Sequence, residues 1–100
     1  MKMKSKQNSN CLHINSLTAD KTSPQSSGVT IKLSCSAKSN SRIQYRYRRI
    51  KDGVETIFRD FSYSTDAACN PGTGVYRIFV DAKEDDTNQI VTAEIPYTWS

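Results

Sequence analysis

The stretch RIQYRYRRIKDGVETIFRDFSYS, residues 42–64, decides the fold. In it Ile43, Tyr45 and Tyr47 alternate with Gln44, Arg46 and Arg48, the period of two that sends successive side chains to opposite faces of a β-strand. Asp52-Gly53 then stands between two strand-like runs, and this dipeptide suits a two-residue hairpin turn in which both central residues take φ > 0. A strand over 43–50, a tight turn and a returning strand over 54–59 are therefore predicted. The tyrosines and the arginines point apart. A nucleic-acid platform needs stacking rings and cations on one exposed surface, so this alternation favours tyrosines in a core and arginines in water.

Working outward, the same period recurs. Residues 12–19 put Leu12 and Ile14 in phase. Residues 30–37 put Ile31, Leu33, Cys35 and Ala37 on one face, with Thr30, Lys32, Ser34 and Ser36 toward solvent. A short strand is expected near 67–69. In 75–83, Tyr76, Ile78, Val80 and Ala82 oppose Arg77, Phe79, Asp81 and Lys83. Residues 89–99 align Val91, Ala93, Ile95, Tyr97 and Trp99, and Pro96 suits an edge strand. No window carries the apolar stripe of a helix. Short strands with turn signals about ten residues apart predict an all-β fold, an immunoglobulin-like antiparallel two-sheet β-sandwich of about seven strands, with a small barrel as the alternative. Large aromatics on the inward phases, Tyr45, Tyr47, Tyr76 and Trp99, are core candidates, since burying each contributes roughly 2–3 kcal/mol.

The chain has 100 residues and a net charge of +4, but the charge is unevenly placed. Residues 1–21 hold Lys2, Lys4, Lys6 and Lys21 against Asp20, a balance of +3, while the remainder carries ten cations and nine anions. The folded part lacks the sustained positive field on which nucleic-acid affinity rests, so no nucleic-acid partner is expected. Residues 1–11 are expected to be a flexible N-terminal segment and 12–100 a single module. The basic start has no apolar run of signal-peptide type, and no stretch is long and apolar enough to insert in a membrane. Polar residues after the first Met and an end directly after a strand-like run fit a module of a longer chain.

Chemistry-bearing constellations are sparse. Cys11, Cys35 and Cys69 contain no C-x-x-C pair, and with His13 they lack the clamp spacing of structural zinc, so no metal is expected. Asp81, Glu84, Asp85 and Asp86 bring oxygen ligands but neither the spacing nor the glycine of a calcium loop, and a turn is preferred. His13 stands beside no nucleophile motif, and no elbow sequence is present. No catalytic residue and no cofactor are assigned. Arg46, Arg48 and Arg49, with Lys51, form a candidate anionic-ligand patch for wall polymer or a neighbouring domain. The preferred alternative is a solvated face whose replacement by Ser at Arg46 and Arg48 leaves stability within about 1 kcal/mol.

Four pieces in order, SLTADKTSPQSSGVTIKLSCSA, IQYRYRRIKDGV, FSYS and NPGTGVYRIFVDAKED, give the chain a likeness to a known group. It resembles the triple-tyrosine (Y_Y_Y) modules of bacterial multidomain proteins, most closely those of clostridial surface proteins and cell-wall hydrolases. The tyrosines that match the family's three are Tyr45, Tyr63 and Tyr76, with a structural role. Cys69 departs from the pattern where a tryptophan is common, and Cys35 where a small core residue is usual. The resemblance implies a non-catalytic accessory module of an extracellular or wall-associated protein, acting as a spacer or as a binding partner of adjoining domains, wall polymer or carbohydrate. A signalling module between an extracytoplasmic sensor and a membrane segment is the alternative. An immunoglobulin analogy would join Cys35 to Cys69 across the sheets, but the resemblance implies no dependence on disulfides, and buried free thiols are expected.

Overall fold

Every alternating run of the sequence forms a strand in the computed structural model, which describes residues 12–100. The expected flexible segment 1–11, and Cys11 with it, lies outside the described residues. The strands are β1 (His13–Ala19), β2 (Ile31–Lys38), β3 (Ile43–Lys51), β4 (Val54–Ser62), β5 (Asp66–Cys69), β6 (Gly74–Glu84) and β7 (Ile90–Trp99). They build a three-stranded sheet in the order β1-β2-β5 and a four-stranded sheet in the order β4-β3-β6-β7, with every ladder antiparallel. This is the expected immunoglobulin-like sandwich. β4 stays beside β3 on the larger sheet, whereas the equivalent strand of antibody constant domains joins the smaller one. Asp52 and Gly53 both take positive φ, 52° and 79°, as the hairpin requires.

The inward phases of the strands meet between the sheets. Ile31, Leu33, Tyr47, Ile78, Val80 and Ala82 are fully buried, with Tyr45, Cys35, Ala67, Cys69, Tyr76, Tyr97 and Trp99 around them. Ile14, Ala37, Ile43, Val91, Ala93 and Ile95 pack at the margin of this core. The aromatics bring polar atoms that must find partners once buried, and four of them tie loops to the sheets. Tyr47 donates to the Thr65 carbonyl at 2.5 Å, Tyr97 to that of Lys21 at 2.6 Å, and Trp99 Nε1 to that of Val29 at 2.8 Å. Tyr76, near the start of β6, donates 3.3 Å back to the Pro71 carbonyl, the corner bond that immunoglobulin-like domains make at this strand.

Register also fixes where the chain enters and leaves. β1 begins opposite the end of β2, His13 with Lys38, at the pole that holds the β2–β3 connection and the β6–β7 turn. β7 ends at Trp99, opposite Gly74, at the pole that holds the Asp52-Gly53 turn and the β1–β2 loop. That loop is laced to the end of β7 by backbone bonds from Gln25 to Thr98 and from Ser100 to Gln25. The principal extents are 55 × 23 × 20 Å, so entry and exit lie at opposite ends of an elongated body.

Exposed edges are blunted. β4 shifts register twice against β3, β5 has four residues, and β7 carries Pro96. Bulges, short strands and proline each discourage pairing with another chain.

Two cysteine expectations resolve here. Cys35 and Cys69 are buried free thiols, and burial pushes each up to about 11. Both belong to the smaller sheet, not to opposite sheets. Cys69 is paired with Ile31, four positions along β2 from Cys35, a separation of roughly 13 Å that no disulfide can span.

Candidate functional site

The outer face of the four-stranded sheet corrects the expectation that Arg46 and Arg48 stand on a solvated face, and it sets Asp81, expected in a turn, within β6. Asp81 is only 1% exposed and Phe79 only 8%. The β3–β6 register sets Arg46 directly opposite Asp81, and the β6–β7 register sets Thr92 on its other side. Arg46 reaches one Asp81 carboxylate oxygen at 2.8 Å. Arg48 grips both oxygens, through Nε at 2.9 Å and a terminal nitrogen at 3.0 Å, and the Thr92 hydroxyl donates at 2.7 Å. Long arginine stems lie flat over the sheet and roof the acid, which sequence alternation alone does not reveal. Burial works against the charge of Asp81, but the Arg48, Thr92 and Arg46 hydrogen bonds outweigh it and hold its pKa below the ordinary carboxylate value.

Rings share this face with the cations after all, though they are phenylalanines of β4 and β6 and not the tyrosines of β3. The guanidiniums of Arg48 and Arg77 lie 4.5 and 5.5 Å from the Phe79 ring, and Arg46 and Lys83 each lie 4.6 Å from Phe61. Three of these four cations are spoken for by carboxylates: Arg46 and Arg48 by Asp81, Arg77 by Glu94 at 2.7 Å. Arg48 also meets the exposed Glu55 carboxylate at 3.3 Å, so the two arginines face two acids and the patch is an internally neutralised cluster with little positive charge left for a ligand.

A depressed carboxylate carries a pH signature. Since the folded pKa of Asp81 is below its ordinary 3.8, its contribution is fully present above that value and is lost as pH falls through the folded pKa. Acid titration followed by near-ultraviolet circular dichroism should show tertiary structure failing only below about pH 4, and Asp81→Asn should flatten that acid limb.

The remaining acidic candidates serve the β6–β7 turn. Glu84 accepts from Ser39 and, at 2.7 Å, from Thr87. Asp85 accepts from Gln44 at 2.9 Å and from Tyr63 at 2.7 Å. Among the described residues no three His, Cys, Asp or Glu side chains converge for a metal ion. Of the three tyrosines on which the resemblance rests, Tyr45 and Tyr76 are core, while Tyr63 is 47% exposed, its ring under Arg42 at 3.7 Å.

Arg49 parts company with Arg46 and Arg48. It follows the phase of Tyr45 and Tyr47, as does Lys51, so both cations extend from the inner face of β3 beyond the cover of the short β5. There they line a cleft of about 310 Å³ with Asp52, Val54, Thr56 and Tyr76. Lys51 donates to the Thr73 carbonyl at 3.0 Å and sits 5.6 Å from the Tyr76 ring. Arg49 lies 5.5 Å from the Phe58 ring and against the Cys69 thiol. Neither cation has a carboxylate partner among the described residues. The signal for this placement was the alternation itself, read four residues further. A second cleft of about 250 Å³, with Asp20, Lys32, Arg59 and Asp66, mixes both signs of charge.

No protein-family model matches this chain, and a search of curated proteins finds no significant match.

Proposed function

We propose that this chain is a non-catalytic, immunoglobulin-like accessory module of a larger bacterial surface or secreted protein, in which it spaces and orients adjoining domains. The observation that carries the reading is entry at one pole and exit at the other. A body whose first strand begins at one extremity and whose last strand ends at the other sets its neighbours apart along its long axis, whereas one that begins and ends at one pole is suited to insertion. The resemblance to triple-tyrosine modules points the same way and supplies the extracellular setting. Buried side-chain polar atoms are all satisfied among the described residues, and the buried acid Asp81 is closed upon by Arg46 and Arg48, as a structural body requires.

The experiment is an immunoblot of fractionated cells with an antibody raised against the module. The expected product is a polypeptide several times longer than this chain, in the wall or culture fraction. A cytoplasmic product of about this length would sink the proposal, since a spacer needs neighbours.

A further inference from the structure

We propose that the cleft at the Asp52-Gly53 pole is an oxyanion-binding site in which Arg49 and Lys51 hold a carboxylate or phosphate group. It stands apart from the spacer role and needs no neighbouring domain. Most cations of the outer face are already matched: Arg46 and Arg48 close on Asp81, and Arg77 on Glu94. Arg49 and Lys51 are not, although both are half-buried on the sheet's inner face, where unpaired charge is more costly than in open water. A guanidinium offers a planar fork of donors to an oxyanion, and an ammonium keeps two further donors when one is used. Thr56 lines the cleft with them.

Lys51 is also given room to lie where it does. A Cβ at residue 74 would stand 2.8 Å from Lys51 Cε and 3.0 Å from Nζ, so a side chain there would push the lysine from its present place against β6 and the Thr73 carbonyl. Both cations line the same cleft, which has an exposed apolar lip at Val54, 66% exposed. Asp52 is the single anion lining it, and it tempers the site.

Inorganic phosphate and acetate, titrated separately into the ¹⁵N-labelled chain, test the site by amide and arginine side-chain chemical shifts. Saturable shifts should be confined to Gly53, Thr56, Gly74, Tyr76 and the Arg49 side chain, and the tighter of the two probes identifies the oxyanion. Asp52→Asn keeps the turn, because Asn-Gly is an equally good hairpin dipeptide, and should tighten binding roughly threefold to tenfold by removing one opposing charge. Arg49→Gln with Lys51→Gln should weaken it by about tenfold or more, while Arg77→Gln, which also removes a cation, should leave it unchanged. Shifts that do not saturate, that spread over all basic residues, or that ignore Asp52→Asn would overturn the assignment. None of these outcomes bears on the immunoblot, so the two proposals fail separately.

Discussion

Replacing Arg46 and Arg48 together by Ser should cost about 3–5 kcal/mol of folding stability, read as a lower midpoint in denaturant melts. The simple alternation of β3 predicts a change within about 1 kcal/mol, because it assigns both side chains to solvent. The structure changes the sign of the problem. Asp81 is 1% exposed and takes four hydrogen bonds from the two arginines and Thr92, three of them from guanidinium nitrogens. With both cations gone, a buried carboxylate must either stay charged with only the Thr92 hydroxyl as donor or take up a proton. Both routes destabilise. The diagnostic companion is the triple variant that also carries Asp81→Val, which removes the stranded charge and should recover most of the loss. A double variant within about 1 kcal/mol of the parent would show that water reaches Asp81 and that the roof is ornamental.

Tyr47→Ala should be of similar size, about 3–5 kcal/mol, since a large fully buried aromatic leaves a cavity that its neighbours fill only in part. Tyr47 is 0% exposed, packs 6.1 Å from Phe58 and holds the β4–β5 connection through Thr65. Tyr47→Phe separates the two contributions. It keeps the ring and removes only the bond to Thr65, for a cost of about 1 kcal/mol. Tyr63→Ala, by contrast, should stay within about 1 kcal/mol, because its ring is half-exposed. Equal losses at Tyr47 and Tyr63 would contradict the division between core and surface.

Period-two alternation made the strands legible because one face of each is buried, and Asp52-Gly53 made the hairpin legible because few dipeptides accept two positive φ values. The observed ends fall within a residue of the expected ones except at β4, which runs on to Ser62 through two bulges that interrupt the pattern being read. What stayed hidden depends on which strands become neighbours. Asp81 looks like any outward acid until β6 is laid against β3, 35 residues away in the chain, and Arg46 is found opposite. Phe79 likewise looks exposed until two arginine stems cover it. Arg49 and Lys51 are a different case. Their phase was visible in the sequence, but the adjacent arginines Arg48 and Arg49 read as one patch although neighbours on a strand face opposite ways.

The opposed poles have a mechanical consequence. β1 leaves the entry pole and β7 arrives at the exit pole, so a pull applied to the two poles runs lengthwise along both strands. The β1–β2 and β6–β7 ladders then bear load in shear, with many hydrogen bonds strained together, instead of being peeled open one at a time. The loop bonds between Gln25 and the end of β7 lie at the very point where the pull is applied. A chain arranged in this way transmits force before it yields, and its lifetime under load is governed by how fast it unfolds and not by its equilibrium stability.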